Sequence, residues 1–316
     1  MIRLWLVVVI ALGMACAAPA IAPIATPSPA ATTVPATPTP GSRFPLTVVG
    51  DDGRRLVLQQ PPRRMISLSP GHTEILFDIG VGERVVGIDD YADYPPAVQR
   101  LPRMGYANPD LERIVALDAD LVIVVTRQRR AVPELERLGI PSLFLAEPES
   151  LEGLLERILL LGEITGRRGS AETVVADMRQ RIEDIAARLH GVQGPTVFYE
   201  LSPQLHTVGP KTFLGDMLVR LQLQNIAAGT TSPFPQLSQE QVISSNPDVI
   251  VLGDIGSGES AATVAARSGW QDVSAVRNGR IILVTDIDIL HRPGPRVVEG
   301  MEQLARAVYP HRFPAP

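Results

Sequence analysis

The 316-residue chain has one cysteine, Cys16, and one lysine, Lys211. A lone cysteine excludes an intrachain disulfide and any paired-thiol metal site. Arginine supplies almost all the positive charge, no Lys/Arg cluster stands out, and the net charge is −5. That balance argues against nucleic acid as a partner. Aromatic residues make up only 4%, so any aromatic surface must be assembled from few side chains. Enzyme signatures are missing too: there is no Gly-x-Ser-x-Gly, no His-Glu-x-x-His and no Cys-x-x-Cys. Gly209-Pro210-Lys211-Thr212 lacks the glycine spacing of a phosphate loop and reads as a plain loop. No resident metal or cofactor is expected.

The N-terminus carries Arg3, an apolar run through Leu12 and then small residues before Cys16. The run is too short to span a membrane and reads as a secretory signal. Leu12-Gly13-Met14-Ala15-Cys16 matches a lipoprotein box, with Ala15 small before the cysteine; otherwise Cys16 is an incidental thiol of a discarded leader. Residues 1–16 are thus expected to be a lipoprotein signal peptide, with Cys16 lipidated; two acyl chains suffice for stable anchoring. Residues 17–42, rich in Ala, Pro and Thr, cannot form a core. As a stiff tether at roughly 3.1 Å per residue they could reach about 80 Å. The expected place is extracytoplasmic and membrane-anchored, in a periplasm or on the outer cell surface.

Beyond the tether the pattern alternates. Asp51-Asp52-Gly53 marks a hairpin turn. Met65-Ile66-Ser67-Leu68 reads as a strand, stopped by Ser69-Pro70-Gly71, with Ser69 or Thr73 as a cap for the helix that runs to Gly80. Val86-Gly87-Ile88 opens into a loop bearing Tyr91 and Tyr94, and loops at the carboxyl ends of parallel strands face the ligand crevice. Residues 170–189 form the longest amphipathic run, roughly 30 Å as a helix and long enough to join two lobes. The pattern then restarts. Glu112 lies eight residues before Asp120, which opens a buried strand, and Glu240 lies eight before Asp248, which opens another. Ser238 and Gln241 add a capping box to the second copy. The expected fold is α/β: two similar lobes with mainly parallel sheets, residues 43–167 and 192–316, joined by one long helix within 168–191.

Several loop residues are candidates for binding. Tyr91, Tyr94, Tyr106 and Phe234 can offer a stacking surface to a large planar or apolar ligand, or pack on neighbouring prolines. Asp288 and Arg292 can contact ligand or pair with each other. His72, His206 and His291 are expected in loops on the cleft side, where they could ligate a metal if they converge; His190 and His311 read as surface residues. Glu112 and Glu240 fit first-turn helix charges, and their matched placement also suits orienting a partner.

Together these motifs resemble the class III substrate-binding proteins of ABC importers, the iron-complex/cobalamin group, most closely its cobalamin-binding branch. The resemblance covers about residues 43–310. It rests on Ile66-Ser67-Leu68-Ser69-Pro70 with Thr73-Glu74, Val86-Gly87-Ile88 with Tyr91 and Asp93-Tyr94-Pro95-Pro96, residues 108–125, residues 235–242, and residues 292–296. It implies two lobes on a rigid backbone helix, little closure on binding, and docking of Glu112 and Glu240 to permease arginines. It implies ligand contacts from Tyr91, Asp288 and Arg292. Tyr106 and Phe234 stand where cobalamin-binding relatives use tryptophan, which shrinks the aromatic surface. Haem and ferric siderophore binders share the scaffold, and His72 or His291 would serve as an axial ligand.

The expected function is a monomeric, non-enzymatic solute-binding lipoprotein that delivers a corrinoid such as cobalamin to an ABC permease and its ATPase. A ferric siderophore or haem is the alternative cargo. The alternative of another class is a chelatase-like enzyme using His72, His206 or His291.

Overall fold

The computed structural model describes residues 44–253, 258–284 and 286–314. Cys16 and the tether lie outside the described residues. Residues 42–316 form one compact unit.

The chain enters through an antiparallel hairpin, β1 (Leu46–Val49) and β2 (Arg55–Leu58), turning at Gly53 with φ +81°. Asp51 on that turn accepts from the Ala146 amide at 2.8 Å and from Arg157 at 2.7 Å, which ties the hairpin to the first lobe. The first lobe follows: β3 (Met65–Ser67), α1 (Pro70–Asp78), β4 (Val85–Ile88), α2 (Leu111–Ala116), β5 (Leu121–Val124), α3 (Val132–Arg137) and β6 (Ser142–Phe144). Helices α4 (Leu151–Ile164) and α5 (Arg168–Arg188) come next. The second lobe holds β7 (Thr196–Glu200), α6 (Phe213–Arg220), β8 (Gln224–Asn225), α7 (Gln239–Ser245), β9 (Val249–Leu252), α8 (Ala261–Ala265), α9 (Ser274–Arg277) and β10 (Ile281–Leu283). Helices α10 (Asp288–His291) and α11 (Val297–Val308) complete it.

Both sheets are parallel, and their orders match. The first runs β4-β3-β5-β6 and the second β8-β7-β9-β10. The matched spacing read from the sequence has a structural cause. Asp120 accepts the Arg63 and Arg64 amides at 2.7 and 2.9 Å, just ahead of β3. Asp248 accepts the Thr196 amide and hydroxyl at 3.0 and 2.9 Å, at the start of β7. In each lobe one aspartate pins the third strand to the first.

β5 and β9 are buried along their whole length, as parallel strands covered on both faces must be. Alternate residues go to opposite sides. Met65, Leu121, Ile123 and Leu143 join Val197, Tyr199, Val249 and Val251 in a single core common to both lobes. Ile66, Val122, Val124 and Phe144 fill a separate core behind the first sheet. Phe198, Ile250 and Leu252 do the same behind the second, around Trp270.

The long helix α5 starts at Arg168 and buries Ala171, Val175, Met178 and Ile185, whereas Val174 and Ile182 of the expected stripe are only partly covered. It crosses α4 so closely that a Cβ on Gly162 would lie 2.3 Å from that of Ala171. Farther along the helix Arg181 meets Glu302 of α11 at 2.9 Å. The joint also involves α4, whose Leu151 amide donates to Asp216 of α6 at 2.9 Å. Local signals explain several helix ends. Gly80 terminates α1 with φ +79°, and the Ser238–Gln241 capping box is formed at α7. Ser69 holds the N-cap position of α1 without a side-chain capping bond; Thr73 is inside the helix and donates to the Ser69 carbonyl at 2.9 Å.

Candidate functional site

Two adjoining cavities lie between the lobes, one of about 260 Å³ and one of about 720 Å³. Arg127, Glu147, His291 and Pro293 line both. The walls come from segments that follow β3, β4, β5 and β6 on one side and β7, β8 and β10 on the other. This is the carboxyl-end crevice expected of parallel α/β sheets.

The smaller cavity holds the tyrosines. Tyr91 and Tyr106 meet edge to face, with centroids 4.4 Å apart at 71°. Their loops are fixed from beneath. Asp89, fully buried at the end of β4, accepts the Tyr91 amide at 2.7 Å, and Asp90 accepts the Gly105 amide at 3.1 Å. Gln128, also buried, donates to the Tyr106 carbonyl. Burial pushes the Asp89 carboxyl up to about 6, against the opposing pull of its amide bonds and of Arg292 and Arg103. Its second oxygen finds no partner among the described residues.

His291 stands on both cavities. Its Nε2 is 2.9 Å from the hydroxyl of Tyr199, a fully buried residue. Burial lowers its pKa to about 4, so the ring is neutral at pH 7. A neutral imidazole held through one nitrogen leaves the other for a ligand. Tyr199 was not singled out in the sequence; an interior strand residue carries no local mark of such a role.

Beside this site the lobes are clasped together. Arg292 pairs with Asp93 of the first lobe and with Asp288, the latter at 2.7 Å. Asp288 and Arg292 line the smaller cavity, so their polar groups are there, already engaged with each other. Arg296 reaches Glu74 of α1 at 2.7 and 3.1 Å. A Cβ on Gly71 would come within 2.3 Å of the Pro293 carbonyl oxygen, so only glycine admits this approach.

Other residues expected at the cleft fall elsewhere in part. Phe234 lines only the larger cavity, from the second lobe and 55% exposed, so it does not join the tyrosine pair. His72 requires correction as a ligand residue: it is in the first turn of α1, 2% exposed, and lines neither cavity. Burial, with a smaller contribution from the charge of Arg157 on α4, lowers its pKa to about 3. His206 sits against Ser202 at 2.9 Å, also outside both cavities. The three histidines do not converge, and among the described residues no group of His, Cys, Asp or Glu is placed to hold a metal ion. Arg127, Gln128, Glu147 and Lys211 were missed. The carboxyl-end rule that picked out Tyr91 would have found Arg127, which follows β5.

Glu112 and Glu240 are exposed in the first turns of α2 and α7, each helix leading into the third strand of its sheet. Their equivalence is therefore topological as well as sequential.

This architecture, two parallel α/β lobes on a helical joint with a cleft between, defines a class III periplasmic binding protein. The family model described as "Periplasmic binding protein" matches residues 65–287, and the chain belongs to that family, whose members are non-enzymatic transport components. The uncharacterized ABC transporter substrate-binding lipoprotein YvrC of Bacillus subtilis is 31% identical over 279 residues, 85% of this chain and 87% of that one. A cobalamin-binding protein of Halobacterium salinarum is 30% identical over 277 residues, 84% of this chain and 74% of that one. Among solved structures, the periplasmic haem-binding protein RhuT of Roseiflexus sp. RS-1 superposes with a TM-score of 0.70 at 27% identity, covering 79% of this chain and 99% of that one.

Proposed function

We propose that the chain is the solute-binding component of an ABC importer, capturing a corrinoid between its lobes and presenting it to a permease through Glu112 and Glu240. The observation that carries this reading is the pair of adjoining cavities at the carboxyl ends of both sheets, walled by Tyr91 and Tyr106 and sharing His291. Tyr91, Tyr106, Phe234, Asp288, Arg292 and His291 are the proposed ligand contacts. The names of the relatives in Bacillus and Halobacterium support the transport role and the corrinoid respectively.

A second reading, haem or a ferric siderophore as cargo, is favoured by one feature. His291 is a neutral, tyrosine-oriented imidazole on the cleft wall, suited to an open axial position of a chelated metal. The chelatase alternative, using His72, His206 or His291, is set aside because the chain belongs to a family of non-enzymatic transport components.

Calorimetric titration with cyanocobalamin, haemin and ferric siderophores separates the cargoes. Heat with a corrinoid at micromolar concentration is expected; none at millimolar concentration would remove the corrinoid assignment. Membrane attachment is proposed to run through lipid on Cys16 and the tether of residues 17–42. Cys16→Ser should release the protein from the membrane fraction, and retention there would refute lipid anchoring.

A further inference from the structure

The larger cavity meets two basic side chains, one from each lobe. Arg127 stands in the Thr126–Ala131 turn after β5, Lys211 in the loop before α6, and both are exposed on the cavity wall. Arg292 and Arg296 commit their donors to Asp93, Asp288 and Glu74. Arg127 and Lys211 have no hydrogen bond or ion pair among the described residues. What Arg127 does have is the Tyr106 ring, 4.4 Å from its guanidinium carbon to the centroid. A cation–π contact of this kind restrains the guanidinium without using any of its N–H donors. Glu147 and Glu149 line the same cavity, exposed and paired with neither cation. Arg129 and Arg130 in the same turn also have no ion pair among the described residues.

We propose that Arg127 and Lys211 form an anion subsite, which takes a phosphate or carboxylate group carried by the bound ligand. The proposal rests on the chelate-binding reading and narrows it to cargo with an anionic substituent. A guanidinium with free edge donors binds an oxyanion through two parallel hydrogen bonds, and a lysine on the facing wall adds a point charge. One group is thereby held by both lobes at once. Lys211 serves here as a side chain reaching the cavity, with no phosphate-loop backbone around it. The phosphodiester of a cobalamin and the propionates of haem are two sources of the same chemistry.

Matched ligands tell those sources apart. Cyanocobalamin is compared with dicyanocobinamide, which lacks the nucleotide loop and with it the phosphodiester, and haemin with its dimethyl ester. The member of the pair that carries the phosphate or carboxylate group should be favoured roughly tenfold or more. Arg127→Gln and Lys211→Gln should each shrink that preference, and the double variant should abolish it without weakening the other member. Equal affinity for both members in the unaltered protein, or equal losses with both in the variants, would overturn the subsite.

A second readout needs no chelate. Because Lys211 is the only lysine, reductive ¹³C-methylation labels a single side chain and keeps its charge. Inorganic phosphate should shift that resonance saturably in the unaltered protein and not in Arg127→Gln. A response no larger than that to chloride would refute the subsite. A protein that binds neither corrinoid nor porphyrin yet shows the phosphate response would lose the proposed cargo and keep the subsite.

Discussion

Glu74 in the first lobe and Arg296 in the second form a two-bonded ion pair at 2.7 and 3.1 Å, and the same guanidinium lies 3.8 Å from the ring centroid of Tyr94. The carboxylate side chain is 3% exposed and the arginine 15%. Burial raises the Glu74 pKa while Arg296 opposes that rise. The pair therefore offsets part of the cost of burying this carboxyl group.

Removing one partner is the costly change. Arg296→Leu should destabilise the fold by about 3–5 kcal/mol, because it strands Glu74, while Glu74→Leu combined with Arg296→Leu should recover much of that loss. Urea unfolding at pH 7 measures both. The single variant's deficit should shrink at acid pH as Glu74 takes up a proton. A double variant as unstable as the single one would contradict the account.

Asp89 makes a pH prediction of definite sign. Its folded-state pKa, about 6, is above the ordinary carboxylate value, so the folded protein binds this proton more tightly than the unfolded chain. The stabilising contribution is complete below about pH 4 and is lost as pH rises through 6. The loss should be on the order of 2–3 kcal/mol relative to an uncharged side chain. Denaturant unfolding between pH 4 and 7 should show this decline in the native protein and not in Asp89→Asn. Parallel curves for the two would rule it out.

His291 should behave in the opposite sense. Its pKa of about 4 is below the ordinary value, so the neutral ring favours the fold above pH 6.5, and that benefit fades as pH falls toward 4. Affinity for a chelate with an open axial position should thus stay flat from pH 7.5 to 5.5. His291→Ala should lower it roughly tenfold or more and alter the metal's absorption bands. A sigmoid near pH 6.5 would show a ring that titrates normally.

Charge reversal at the exposed glutamates should separate capture from delivery. Glu112→Lys and Glu240→Lys are expected to leave ligand affinity unchanged and to cost only a little stability, through the loss of a favourable first-turn charge. Each should weaken association with the permease roughly tenfold at low salt, and the gap should narrow as ionic strength rises. Stimulation of the transporter's ATPase reports the effect. Undiminished stimulation by the double reversal would remove these residues from the interface.

Much of this was legible in the sequence because it depends on neighbours in the chain. Strand alternation, the Gly80 stop, the Ser238–Gln241 box and the twin spacing of Glu112–Asp120 and Glu240–Asp248 are all short-range patterns. Loops after strands pointed to Tyr91 and Tyr106 by the same logic. Tertiary structure alone decided what each loop residue faces. His72 and His291 look alike as loop histidines, yet the first turn of α1 leaves one only 2% exposed, while the Tyr199 hydroxyl meets the other on the cleft wall. Arg292 finds Asp93, and Arg296 finds Glu74, across most of the chain's length. Arg127 and Lys211 carry no partner that would mark them until both lobes close around one cavity. Periodicity records which side of an element is buried; which distant groups meet there depends on how two separately patterned lobes pack on α4 and α5.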